Sequence, residues 1–428
     1  MAISITNVRL FDGESLTSAS TVRVDDSTVT AVGGPGVIER GDHLVDGKQG
    51  TLLPGLIDAH VHLLPGASAQ ALGFGVTTML DMFSKPDLIE AERAEFRRAT
   101  LADVHSSSVG ATAPGGHPSM MYAPFPTISR PEEAGRFVHD RLDEGARYVK
   151  LFYEGGQSID WPMPSLSIGC VKALVNAAHD AGVLVVAHAQ KASDAVEMAQ
   201  SGVDVLAHVP LDAMTARQVD TLASRSVAVV STLSIADGFP ASGQSMPLLD
   251  HPGIAQRLGE RWCSTIRSQA DRWMPPGMPS FLDATENVRH LHHAGVTVLA
   301  GTDAPNPGTV HGASLHRELW HLARAGFTPV EALQAATSAP AATFGLEGVG
   351  RIRPGCAADL VLVRGRPDVT IESSTAVEMV WKSGQLVDLD SHAGSRMERA
   401  GLDYLAAKTQ RVVTAVTEKL ARTQGRSS

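Results

Sequence analysis

Gly55-Leu56-Ile57-Asp58-Ala59-His60-Val61-His62-Leu63 is the stretch whose reading decides the fold. Pro54 and Gly55 punctuate its entry, an apolar Leu-Ile pair follows, and two histidines stand two residues apart at its end. In a β-strand residues i and i+2 point to the same side, so both imidazoles reach one point in space. Two convergent neutral imidazoles are half of a metal site. The alternative is a pair of surface or cap histidines, and the rest of the chain has to choose between them.

Downstream, short apolar runs alternate with helical stretches, as βα units do. After Gly55–Leu63 the runs are Gly75–Asp81, Asp103–Ala111, Tyr148–Phe152, Val183–His188, Val203–His208, Val227–Thr232 and Val296–Asp303. They are apolar on both faces, like buried parallel strands. Gly145, Gly182, Gly202 and Gly295 precede several of them and would end the preceding helices. Pro131 with two following glutamates suits the first turn of a helix over 131–144. Eight such units predict a closed (β/α)8 barrel over 55–348, with a doubly wound open sheet as the other arrangement.

The chain ends differ. Residues 1–54 read as short β pieces such as Val22–Val24 and Val29–Val32, and β character returns in Ala358–Val363 and Val377–Trp381, with a hairpin turn at Lys382–Gln385. Residues 1–54 and 349–390 are therefore expected to share one small β-sandwich domain. Residues 391–428 form a C-terminal extension with helical spacing over 397–420. A content of 43% hydrophobic and 19% charged residues fits a globular protein, and a net charge of −10 argues against a nucleic-acid partner. Three distant cysteines, Cys170, Cys263 and Cys356, suggest a reducing compartment without a disulfide framework. No signal-peptide pattern and no run of about 18 apolar residues is present, so a cytoplasmic location with no membrane partner is expected.

Active sites of such barrels sit at the C-terminal ends of the strands. His60 and His62 end the first strand, Lys150 lies in the fourth, and His188, His208 and Asp303 end the fifth, sixth and eighth. Each has a plainer reading: Lys150 paired with Glu154, His188 and His208 as core histidines, Asp303 as a helix cap.

Together with the opening Asn7–Gly13, the segment Leu53–His62, Ala300–Asp303 and the closing Gly350–Val361, these residues resemble the amidohydrolase superfamily, in its imidazolonepropionase-like and prolidase-like branch. The resemblance covers nearly the whole chain. It implies a binuclear metal site, with zinc expected. His60, His62 and Asp303 would hold one ion, His188 and His208 the other, and Lys150, N-carboxylated, would bridge them. The implied reaction is attack of a metal-activated hydroxide on a C–N bond of a small molecule, an amide, N-acyl or cyclic amide. Asp303, with His208 and His117, forms the candidate catalytic set, Asp303 being the proton carrier.

His117, Tyr153 and Gln190 are the candidate substrate contacts. Prolidase-like relatives carry a tyrosine just after the fifth-strand histidine. Here the segment is His188-Ala189-Gln190-Lys191-Ala192, which counts against a dipeptidase. Residues 233–285, with Phe239, Trp262, Trp273, Met274, Met278 and Phe281, read as a lid or as packing against the barrel or a partner subunit. His311 and His316 read as helix-surface residues more simply than as mouth residues. A homo-oligomer is expected. The competing functions are hydrolysis of a lactone, carbamate or phosphotriester at the same site, and a non-catalytic scaffold.

Overall fold

The computed structural model describes residues 2–96, 100–157, 161–238, 247–270 and 281–424. The expected βα alternation forms two parallel sheets. One contains the strands Leu56–Val61, Val76–Asp81 and Asp103–Ser106. The other contains Val149–Phe152, Val185–His188, Val205–Ala207, Ala228–Val230 and Val298–Leu299. Backbone bonds also run between the sheets at both of their edges. Ala111 N donates to Lys150 O at 2.8 Å and Phe152 N to Ala111 O at 2.9 Å. On the other side Ala59 N donates to Ala300 O at 2.9 Å, and His62 N to Ala304 O at 2.7 Å.

The strands bury both faces, and the alternation separates two apolar clusters. Ile57, Ala59, Leu80, Val186, Val205, Ala207, Val230 and Leu299 pack on one another on one side. Leu56, Met79, Val149, Leu151, Val185, Leu206, Val229 and Val298 pack under the helices on the other. The helix over 131–144 begins as a 3-10 turn at Pro131–Glu133 and continues through Ala134–Asp143. The Glu133 carboxylate accepts from the free backbone N–H groups of Ser129 and Arg130, as an acidic first turn should.

The chain ends form two further sheets. A four-stranded sheet is built from N-terminal strands alone. A six-stranded sheet interleaves the N-terminal Arg9–Phe11, Leu16–Thr17 and Thr51–Pro54 with the C-terminal Leu360–Val363, Val377–Lys382 and Gln385–Leu386. They share a core of Ile5, Leu10, Val22, Val24, Leu52, Leu360, Leu362 and Trp381. An ion triad ties this region to the parallel strands: Lys382 Nζ lies 2.8 Å from Asp103 and 2.7 Å from Asp359.

The 233–285 stretch is helical where described, at Leu233–Gly238, Pro247–Asp250, Pro252–Ala270 and from Phe281 onward. Trp262 is 1% exposed and belongs to the main core, which favours packing. Phe239, Trp273, Met274 and Met278 lie outside the described residues. The helix expected over 397–420 runs from Arg396 to Gln424. No described helix is long and apolar enough to cross a membrane.

Candidate metal centre

The strand-end polar residues converge. His60 and His62 ring centroids are 5.3 Å apart, His60 and His208 4.7 Å, and His188 and His208 4.8 Å. Asp303 Oδ1 lies 2.9 Å from His62 Nε2 and 3.4 Å from His60 Nε2, and its Oδ2 lies 3.9 Å from His208 Nε2. One ligand atom each from His60, His208 and Asp303 falls within 4.8 Å of the others. His117 joins from the loop after the third strand, its ring stacked on His188 at 4.7 Å.

Two local devices aim these groups. A register shift between Asp58 and Val61 breaks the pairing of the first strand just where its histidines begin. Such irregularities re-aim side chains beside active sites. At the sixth strand, strict alternation would send His208 to the outer face with Leu206, but its backbone is left-handed, with φ 85°. Asp303 (φ 52°) and Thr232 (φ 48°) share that uncommon conformation. Strained non-glycine residues of this kind gather where surrounding structure holds them for function. Gly301 allows the eighth strand to close on the first, because a Cβ there would stand 2.9 Å from both Cβ and N of His60.

Buried polar neighbours hold these side chains. His62 Nδ1 donates to Phe83 O at 3.2 Å, which leaves Nε2 as an acceptor facing Asp303. Two acceptors 2.9 Å apart repel unless a proton or a cation lies between them. His208 Nδ1 is 2.9 Å from Thr232 Oγ1. Asp58 accepts from His60 N, Thr302 N and Thr302 Oγ1. Behind the site, Glu318 accepts from Leu233 N, Ser234 N and Ser231 Oγ, fixing the turn that carries Thr232.

Burial sets the protonation states. It lowers His60 and His188 well below the ordinary imidazole range, His208 to about 4 and His117 to about 3, so all four rings are neutral at pH 7. Burial alone would raise the Asp303 carboxyl. The His62, His208 and Lys150 nitrogens that face it outweigh burial and hold Asp303 at about 2, an ionised carboxylate. Burial also lowers the Lys150 amine to about 7.

Lys150 is 1% exposed and its Nζ has no hydrogen-bond partner, so it is not the Glu154 ion pair of the plainer reading. Asp303 does not cap a helix either, since the next one begins at Ala313. Tyr153 turns away: its hydroxyl donates to Glu197 at 2.6 Å, on the helix after the fifth strand. Gln190 sits half-buried past that strand. His311 and His316 are not surface residues. His311 is fully buried and donates from Nε2 to His62 O at 3.0 Å, behind the first-strand histidines. His316 is buried between Phe74 O and Ser374 Oγ. Tyr122, whose ring is 6.3 Å from that of His62, and Thr232 have no motif in the sequence and emerge only in three dimensions.

Comparison with known proteins agrees with this geometry. An imidazolonepropionase of Streptomyces avermitilis is 24% identical over 394 residues, covering 86% of each chain. One of Streptomyces griseus subsp. griseus is 38% identical over 105 residues, 24% of this chain, which there spans only 27% of that relative's length. The crystal structure of a putative prolidase from Bifidobacterium longum superposes with a TM-score of 0.72 at 22% identity, over 95% of this chain and 99% of that one. Residues 51–387 match the amidohydrolase family, and the chain belongs to it.

Proposed function

We propose that this chain is a metal-dependent hydrolase that cleaves a C–N bond in an amide, N-acyl or cyclic amide small molecule. It would do so at the mouth of a closed (β/α)8 barrel over 55–348. The backbone bonds across both edges of the parallel sheets support that closure. Their shared core supports a β-sandwich from 1–54 and 349–390, with 391–428 as a helical extension. Buried, unpaired Cys170, Cys263 and Cys356 support a reducing, cytoplasmic setting.

One observation carries the reading. The atoms left without partners in the interior include His60 Nδ1 and Nε2, His188 Nε2, Lys150 Nζ and Asp303 Oδ1, and they belong to one cluster. Buried polar atoms are normally paired, and imidazole and carboxylate atoms orphaned together in one cluster fit a cation-binding site. His60, His62 and Asp303 would hold one divalent ion and His188 and His208 a second, with zinc favoured by the imidazole-rich set. Lys150, depressed toward neutrality by burial, supplies the free amine that N-carboxylation requires and would bridge the pair as a carbamate. Bound zinc lowers the pKa of water to about 7 and polarises carbonyl oxygens.

The chain's own groups do the rest. Ionised Asp303 takes the proton of the attacking water and delivers it to the leaving nitrogen. His208 Nε2 faces Asp303 at 3.9 Å, across the space that a bound ion would share between them. His117, stacked on His188, would hydrogen-bond the substrate carbonyl.

The test is a hydrolase panel on zinc-replete protein, covering N-acyl amino acids, cyclic amides, lactones and phosphotriesters. Asp303→Asn is expected to retain zinc by elemental analysis and to lose about a hundredfold or more in kcat. Activity indifferent to chelation and to His188→Ala would overturn the reading.

A further inference from the structure

The C-terminal helix Arg396–Gln424 lies beyond the residues that match the family, yet it reaches the site. Leu405 anchors it in the main core, and one turn later Lys408 extends over the ring of Tyr122, with Nζ 4.8 Å from its centroid. Tyr122 is 6% exposed, packs on Phe83 at 4.8 Å and faces the His62 ring. Lys408 is thus the cation on the His62 flank of the cluster, and its charge acts on both Asp303 and His311. Among the described residues no carboxylate lies within ion-pair distance of it. A half-buried ammonium with only an aromatic face for company is poorly compensated, and an anion beside it would restore the balance.

We propose that Lys408, seated on Tyr122, is the anion-binding residue of the substrate site, so that the substrate is an amide bearing a carboxylate. Its scissile carbonyl lies at the His60, His62, His188, His208 and Asp303 cluster and its carboxylate on the Lys408 ammonium. The inference rests on the hydrolytic reading of that cluster. It adds a specificity residue from a segment outside the barrel and narrows the substrates to anionic ones.

The test uses the full-length, zinc-replete protein as wild type, Lys408→Met and Lys408→Arg. In the first arm kcat/KM is measured on N-acetyl-L-leucine and on N-acetyl-L-leucinamide. In the Met variant the ratio of acid to amide is expected to fall about tenfold to a hundredfold, chiefly through KM, and the Arg variant restores most of it. In the second arm glutarate and glutaramide are titrated calorimetrically, which needs no turnover. Glutarate is expected to bind wild type and the Arg variant at least about tenfold more tightly than the Met variant. Glutarate binding that depends on Lys408 without any hydrolysis would sink the hydrolytic reading and leave the anion site standing. Hydrolysis and glutarate binding both indifferent to Lys408, or a Met variant that changes only its melting temperature, would overturn the proposal alone.

Discussion

Thr232→Val probes the proposed centre without touching a proposed ligand. Thr232 and His208 are both nearly inaccessible, and their side chains meet at 2.9 Å between Oγ1 and Nδ1. If His208 ligates through Nε2, its proton must reside on Nδ1, where Thr232 accepts it. Valine has the same shape and the same β-branching, so the left-handed backbone at this position is no worse served. It offers no acceptor. Without an ion the variant escapes the penalty, because the proton moves to Nε2 and faces the Asp303 carboxylate at 3.9 Å. With an ion bound, Nδ1–H is buried without a partner, which costs about 1–3 kcal/mol. The cost therefore falls on ion affinity, a weakening of about tenfold to a hundredfold, in line with the loss of other groups that orient metal-binding histidines. Zinc affinity is measured by competition with a chromophoric chelator, with the metal-free melting temperature as control and Thr232→Ser as the variant that restores the acceptor. Unchanged affinity in the Val variant at unchanged stability would refute the assignment of His208 as an Nε2 ligand.

Two further outcomes concern stability. His316 Nε2 donates to Phe74 O and Nδ1 accepts from Ser374, so the buried ring is neutral. Burial lowers its pKa from the ordinary 6.5 to about 4. A folded-state pKa below the unfolded one means stability is complete above about pH 6.5 and is lost as pH falls toward 4, by about 3 kcal/mol for this group. His316→Gln should flatten the melting temperature against pH over that window, and an unaltered slope would contradict the burial argument. In the ion triad, Lys382→Met leaves Asp359, 3% exposed, without its cation. Denaturant unfolding should show a loss of about 3–5 kcal/mol, discounted for the more open Asp103, with partial recovery in Lys382→Met/Asp359→Asn. A loss below about 1 kcal/mol would mean that the triad contributes no more than a surface pair.

Which of these features could be read from the sequence follows from how far each depends on distant parts of the chain. The parallel strands and the convergence of His60, His62, His188 and Asp303 were legible, because runs apolar on both faces and the i, i+2 rule are local properties of a strand. Tyr153 shows the same rule ignored. Lys150 and Phe152 share one face of the fourth strand, so its neighbour Tyr153 had to leave it, and it meets Glu197. His208 shows the rule broken. Its position after Ala207 points outward by alternation, and only a left-handed φ, which no residue type at that position announces, turns it toward His60. His316 read as a surface residue because helical spacing reports an amphipathic face but not what covers the other one. Here the segment Ile371–Thr375, far along the chain, lies over it and supplies Ser374. Lys408 is the same problem at its largest. A lysine in a polar terminal helix is indistinguishable by sequence from its solvated neighbours, and its contact with Tyr122 exists only because that helix docks on Ser119–Tyr122, which follows the third parallel strand. Strand-end chemistry is thus written into short spacings. The groups that would select a substrate arrive from loops and termini, so in this chain the reaction class is far more legible than the molecule it acts on.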